Sequence, residues 1–404
     1  MDINPKSYPK NILLVHNYYQ QPGGEDVVFR SELALLRDMG HSIFEFTVDN
    51  DEIKISKPWE TAFRLLWSTE IYRKFLKVLD DFRPDVAHFH NFFPLISPSA
   101  YYACQKFGVP VVQTLHNYRL MCPVATFYRD GKVCEDCLGS FFAFPGVRHA
   151  CYRQSHLQSA GVATMTATHR MIRTWRNLVS RYIALTNFSR QKFIQGGLPA
   201  RKIDIKPNFV VDFGEKKEQD LGYALYVGRL SPEKGISTIL RAWEKIQIPL
   251  KLVGDGPLRE MVQRFAVSNP MVEWLGFQPR ENVIKMMKQA SMLILASEWY
   301  ENMPVTMLES FSCGLPVVAS RLGGMAEMIE HEKNGLLFEP GNQHELAQAV
   351  QRMWRDHDLR AKISGESRKV FEEKYTPSVN YAQLLSIYQQ SIAEKQAHHK
   401  IPKR

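Results

Sequence analysis

Two glutamates eight positions apart, Glu301 and Glu309, are the first residues of this 404-residue chain whose types and spacing suit chemistry. They flank Pro304 in the run SEWYENMPVTMLESFSCGLPVVAS, which reads as a loop, a helix start and a following strand. Proline suits a first helical turn because its missing N–H would be unpaired there anyway. The N–H groups of Val305 and Thr306 then point out of the helix start, where the dipole favours a phosphate. A carboxylate accepts two hydroxyl hydrogen bonds, so one glutamate can hold sugar hydroxyls and the other a ribose diol. Alone, two glutamates on an amphipathic helix are as well explained by solvent. Arg229 and Lys234, in VGRLSPEKG, occupy a strand–helix loop, where an isolated basic pair is ordinarily a solvated one. LVGDGPLR, at Leu252–Arg259, is first of all a turn signal.

Near the amino terminus QPGGE leads into a helix. Gly23 and Gly24 let the backbone approach a ligand closely, and the helix start offers N–H groups to a phosphate. His116 follows an apolar strand, at the carboxyl end where sheets of this kind bind ligands. Six cysteines are present, and Cys122, Cys134, Cys137 and Cys151 lie within 30 residues. In a reducing compartment the C-x2-C knuckle with two flanking cysteines reads as structural zinc sooner than as disulfides. Four thiolates would close the coordination shell, and His149 is an alternative ligand. Cys104 and Cys313 sit in helical patterns and read as core.

The elements that must position these residues alternate in a regular way. Strand patterns at Asn11–His16, Ser42–Val48, Val86–Phe89, Val111–Leu115, Tyr182–Leu185 and Ile203–Lys206 are mostly followed by helical stretches. After a charged linker, Gly214–Gly222, the alternation restarts at Tyr223–Val227, Leu250–Val253, Val272–Leu275, Met292–Leu295 and Val317–Ala319. This is the pattern of βαβ units, and it predicts two tandem doubly wound α/β domains facing a cleft. The expected boundaries are 1–212, with a cysteine-bearing insertion at 117–155, then 213–375, then a carboxyl-terminal helix and basic tail at 376–404. Pro58–Phe82, with Trp59, Phe63, Leu66 and Trp67 among Arg64, Arg73, Lys74 and Lys77, reads either as a domain helix or as one lying on an anionic bilayer.

Composition narrows the function. With 45% hydrophobic and 23% charged residues, both domains can bury a core. No apolar run approaches the roughly 18 residues needed to span a bilayer, and the polar start lacks the core of a secretory signal. A cytoplasmic address is expected. The net charge of +9 favours anionic partners: sugar nucleotides, nucleic acid or an acidic lipid surface. Nicotinamide chemistry is not supported, because no G-x-G-x-x-G opens a helix with an acidic residue about 20 positions on.

Glu301–Ser320, VGRLSPEKG and LVGDGPLR together resemble the retaining family-4 glycosyltransferases of the GT-B fold, over a span from Asn11 to about Ile392. The resemblance implies a hexosyltransferase that moves a sugar from a nucleotide-diphosphate donor to a glycan or lipid-linked acceptor in polysaccharide assembly. It assigns Glu309 to the donor ribose, Glu301 and Asn302, Met303 and Pro304 to the transferred sugar, and Val305 and Thr306 to the helix start beside them. It places Arg229 and Lys234 on the diphosphate, where fixed cations stabilise charge growing on the leaving group. Gly23 and Gly24 would meet diphosphate and acceptor, and His116 the donor sugar. No catalytic metal is implied; zinc would be structural, in a cysteine-bearing subset of the family. The protein would work in the cytoplasm at the inner face of an anionic membrane, without nucleic acid. A GT-B nucleotide-sugar epimerase, a catalytically dead binding subunit and a zinc-containing nucleic-acid binder are the rival readings.

Overall fold

A computed structural model describes residues 8–19, 23–50, 64–215 and 220–399. Trp59, Phe63, Gln21, Pro22, part of the linker and the end of the basic tail lie outside the described residues. Two compact units divide the chain: Met1–Thr126 with Glu135–Lys206 and Asn380–Arg404, and Phe127–Cys134 with Pro207–Val379.

The first unit is built on six parallel strands: β1 (Asn11–Tyr18), β2 (Ser42–Asp49), β3 (Val86–Phe89), β4 (Val111–Thr114), β5 (Arg181–Ala184) and β6 (Ile203–Ile205), in the order β2-β1-β3-β4-β5-β6. The inner strands are buried continuously, as a parallel sheet covered on both faces requires. Ile12 to Asn17 and all of Val86–Phe89 are buried, whereas edge strand β2 is mostly exposed or half-buried. Helix α1 (Gly24–Asp38) lays Phe29, Leu33 and Leu36 on Ile12, Leu14 and Val86. Leu384, Ile387 and Tyr388, from the last helix, complete that core.

Helix α2 (Thr69–Phe82) forms the second part of the expected element over Pro58–Phe82; residues 64–66 are also helical, Trp67 and Ser68 interrupt the two, and 58–63 lie outside the described residues. Ser68 caps it, its Oγ accepting from Ile71 N at 3.3 Å. Ile71, Phe75 and Leu79 are its buried stripe, with Phe75 against Phe46 at 4.3 Å between ring centroids. The apolar face of α2 is therefore consumed by the core, and the domain-helix reading holds for it. Among the described residues no helix is long and apolar enough to cross a membrane.

The second unit carries β7 (Ala224–Val227), β8 (Leu250–Val253), β9 (Val272–Gly276), β10 (Met292–Leu295), β11 (Val317–Ser320) and β12 (Leu336–Phe338), all parallel, in the order β9-β8-β7-β10-β11-β12. Helix α3 (Ile236–Trp243) follows β7 and buries Trp243, whose indole N–H donates to Ile248 O at 2.8 Å. Helix α4 (Val305–Ser312) follows β10. Strand order reverses between β7 and β10, and such a reversal is where doubly wound sheets leave a crevice beyond their carboxyl ends.

Two features were not foreseen. Strand β12 has three residues, too few to show a period. The hairpin Tyr128–Arg129 with Lys132–Val133 turns through Asp130 and Gly131, both at positive φ. Asp-Gly is the residue pair such a turn demands, so the hairpin has a signal in the sequence.

Candidate active site

In the second unit the strand ends of β7 and β10 bring the basic loop and the first glutamate together. Lys234 Nζ donates to Glu301 Oε1 at 2.5 Å, and Ser297 Oγ donates to the same oxygen at 2.8 Å. Lys234 also lies 5.2 Å from the centroid of the Trp299 ring. The Trp299 indole N–H has no hydrogen-bond partner among the described residues; the sequence reading did not single it out. Arg229 is exposed, while its carbonyl accepts from Tyr226 OH at 2.8 Å, which pins the loop.

Glycines make this loop buildable. A Cβ on Gly235, at φ +69°, would stand 1.9 Å from Ala296 O. One on Gly254 would stand 1.9 Å from Gly228 O, and one on Gly256 2.5 Å from Leu230 O. The GDG turn therefore lies directly on the GRL segment, backbone to backbone.

Pro304 is the N-cap of α4, one position before the helix, and Val305 is its first helical residue. Glu301, Asn302 and Met303 are buried, while Pro304, Val305 and Thr306 are half-buried. The loop is held from behind: Gly324 N donates to Glu301 O at 2.8 Å, and Asn208 N to Met303 Sδ at 3.1 Å. Glu309 is 7% exposed and accepts from Arg280 Nε at 2.9 Å. Burial raises the Glu309 carboxyl above its ordinary range, and Arg280 partly offsets this. Arg280 was missed because nothing local in REN marks a residue whose partner stands 29 positions on.

In the first unit Gly23 precedes α1, and its N–H donates to Asp26 Oδ2 at 2.8 Å. Asp26 in turn accepts from His16 Nε2 at 2.7 Å. A Cβ on Gly23 would meet nothing within 4 Å, so internal packing does not require glycine there. Glu25 Oε1 accepts from Asn117 Nδ2 at 2.7 Å, and Asn117 also donates to Tyr19 OH at 3.1 Å. Burial pushes the Glu25 carboxyl up to about 7.

His116 lies just past β4, where the sequence expected a strand to end at Leu115. Behind it is a buried charge network that spacing did not reveal. His116 Nε2 is 3.0 Å from His90 Nδ1, and His90 Nε2 is 3.0 Å from Glu32 Oε1. Lys206 Nζ donates to Glu32 Oε2 at 2.8 Å and to Asn380 Oδ1 at 3.2 Å. His88 Nδ1 sits 3.0 Å from Glu32 Oε1 and 2.7 Å from Tyr388 OH. Burial raises the Glu32 carboxyl, but the Lys206 ammonium with His88 and His90 more than offsets it and holds the group well below the usual carboxylate range. Glu32, His88 and His90 bring ligand atoms within 4.8 Å of one another, a set distinct from the four cysteines chosen by spacing. Because the Lys206 ammonium already occupies Glu32, a metal cation there would face a buried like charge. The set is read as a hydrogen-bonded network.

Cys122 and Cys137 are buried, Cys134 and Cys151 half-buried, and none of the six cysteines forms a disulfide. Cys104 and Cys313 are buried core residues, and burial pushes both thiols up to about 12.

Comparison with known proteins agrees with both halves. Residues 22–212 match the model of Glycosyltransferase Family 4, and residues 211–370 that of Glycosyl transferases group 1. The chain belongs to the family-4 glycosyltransferases and has the GT-B fold. It is similar to an uncharacterized glycosyltransferase of Methanocaldococcus jannaschii, 28% identical over 66% of this chain and 80% of the relative. It is also similar to the alpha-D-kanosaminyltransferase of Streptomyces kanamyceticus, 25% identical over 70% of this chain and 71% of the relative. Among solved structures, Anabaena HepE in complex with UDP and glucose matches with a TM-score of 0.64, 19% identity, and coverage of 96% of this chain and 100% of that one. Sucrose-phosphate synthase of Thermosynechococcus elongatus matches with a TM-score of 0.71, 17% identity, and coverage of 95% and 100%.

Proposed function

We propose that this glycosyltransferase moves a hexose from a uridine-diphosphate sugar to a glycan or lipid-linked acceptor, with retention at the anomeric carbon. The observation that carries the reading is the cradle at the ends of β7 and β10. There Lys234 is fixed on Glu301, exposed Arg229 stands in the same loop, and the start of α4 lies beside them. Lys234 and Arg229 are assigned to the diphosphate. As the bond from the anomeric carbon to the phosphate oxygen breaks, charge grows on the leaving group, and fixed cations stabilise it. The acceptor oxygen bonds to that carbon on the same face, and its proton passes to a phosphate oxygen. Glu309 takes the ribose diol; Glu301 and the Asn302–Pro304 backbone take the sugar. In the first unit Gly23, Gly24 and His116 are assigned to the diphosphate and the transferred sugar. Uridine is favoured by the UDP and UDP-glucose complexes of HepE.

Cys122, Cys134, Cys137 and Cys151 are proposed as ligands of a structural zinc on their spacing alone; among the described residues the side chains close enough to hold a metal do not include them. Arg73, Lys74 and Lys77, exposed on α2, would face the anionic bilayer that carries a lipid-linked acceptor. One preparation tests the reaction and the metal. Purified protein is incubated with UDP-hexoses, and the sugar first released by slow hydrolysis is followed by proton NMR. The donor's own anomer should appear first; the opposite anomer would contradict retention. Metal analysis of the same sample should return one zinc per chain, and metal-free active protein would remove the zinc.

A further inference from the structure

We propose that Glu32 and His90 are positioning residues that lock His116 as the neutral tautomer protonated on Nε2, so that its Nδ1 acts only as a hydrogen-bond acceptor. The protons are ordered from the buried end outward. Glu32 is 1% exposed, and the Lys206 ammonium donates to its Oε2 at 2.8 Å. A carboxylate so paired is ionised and can only accept. His90 Nε2, 3.0 Å from Glu32 Oε1, must therefore carry the proton of that contact. His90 is itself neutral, since burial lowers it to about 3 against the pull of Glu32. A neutral imidazole with its proton on Nε2 has a lone pair on Nδ1. That lone pair faces His116 Nε2 at 3.0 Å, so His116 Nε2 must be the donor. Burial, then His90, hold His116 well below the usual histidine range, so it too is neutral. Its remaining nitrogen, Nδ1, carries a lone pair, and whatever hydrogen bond it makes it makes as an acceptor.

The groups around the chain agree with this direction. His88 Nδ1 stands 2.7 Å from Tyr388 OH and 3.0 Å from Glu32 Oε1, the oxygen that also meets His90 Nε2, while its Nε2 reaches Thr114 Oγ1 at 2.8 Å; a carboxylate oxygen has lone pairs for both histidines. His16 pairs with Asp26 rather than with the chain. A cross-strand order results: β3 supplies His90, α1 supplies Glu32, and the segment after β6 supplies Lys206. All three serve one imidazole past β4. Such outer partners of a histidine set which nitrogen is protonated and which way the ring faces. Resting on the transferase reading, the consequence is specific. His116 recognises a donor-sugar hydroxyl by taking its proton into a hydrogen bond, and it selects against a group at that place that has no proton to give.

The test uses the full chain labelled with nitrogen-15 in histidine only, with His116 assigned by the signals lost in His116→Gln. Two-bond nitrogen–proton correlations separate the tautomers directly. The wild-type protein should show His116 with a protonated Nε2 and a bare Nδ1 at the far-downfield position. A protonated His116 Nδ1 would overturn the proposal. In His90→Asn the side-chain amide stands near the former Nδ1 and can donate or accept, without connection to Glu32. His116 should then show averaged shifts of mixed tautomers, and an unchanged tautomer would remove His90 from the role. The wild-type measurement needs no variant, so misfolding of His90→Asn leaves the proposal open to refutation. Transfer activity does not enter the readout. A failed donor assay would count against the transferase reading and leave the lock standing.

Discussion

Glu25 shows how one side chain at this site responds to its surroundings. Its Oε2 is buried, and its carboxyl is pushed up to about 7 from an ordinary 4.5. Between those values the unfolded chain releases the proton while the folded protein keeps it. Stability should therefore fall as pH rises from about 4.5 to about 7 and stay level above. Glu25→Gln, which keeps an acceptor for Asn117, should match the wild type in melting temperature near pH 4.5 and exceed it increasingly up to pH 7. A difference that does not change with pH would show that Glu25 ionises normally in the fold. Lys234 and Glu301 could be singled out although they stand 67 positions apart, because each lies in a motif of its own, SPEKG and the run around Pro304. Glu32 was not legible, because it lies in an ordinary amphipathic helix and its cation, Lys206, comes 174 positions later. Arg280 escaped for the same reason: spacing carries no trace of a contact made only by folding.

Elements position these groups through close backbone approaches, and the glycines divide into two kinds. Gly324 belongs to the first, since a Cβ there would stand 2.0 Å from Asn302 O. Gly324→Ala must displace the Glu301–Asn302 loop. It should cost about 1–3 kcal/mol of stability, as overpacking generally does, together with nucleotide binding. Gly23 belongs to the second, with nothing within 4 Å of an added Cβ. Gly23→Ala should melt with the wild type yet lose transfer by about 10²-fold, as for a ligand held out of place. Thermal melts and initial rates on the two variants check both statements; a fully active Gly23→Ala would take the glycine out of the site. Strands were the most readable elements, because continuous apolar runs such as MLIL and VVAS have no other stable home than a covered parallel sheet. Helix α2 was less so. A basic amphipathic stretch looks the same whether its stripe meets a bilayer or Phe46 and Phe89, and only the packed structure decides.

At the scale of the whole molecule, two six-stranded parallel sheets follow one another in the chain, each with its own core. Family models meet at residues 211–212, close to where the compact units divide. A tandem design of this kind was readable from the restart of the strand–helix alternation after the charged linker. Which nucleotide and sugar it serves was not, because base and sugar are chosen by shape within a pocket rather than by a motif. We propose that the cradle at β7, β10 and α4 binds the nucleotide-diphosphate donor. Calorimetric titration of wild type, Glu309→Ala and Lys234→Ala with UDP, GDP and ADP tests it most directly. UDP should bind saturably, and each substitution should weaken it by about tenfold or more, as loss of a charged hydrogen-bonding partner does. Binding of no nucleoside diphosphate, or equal affinity in all three proteins, would contradict it.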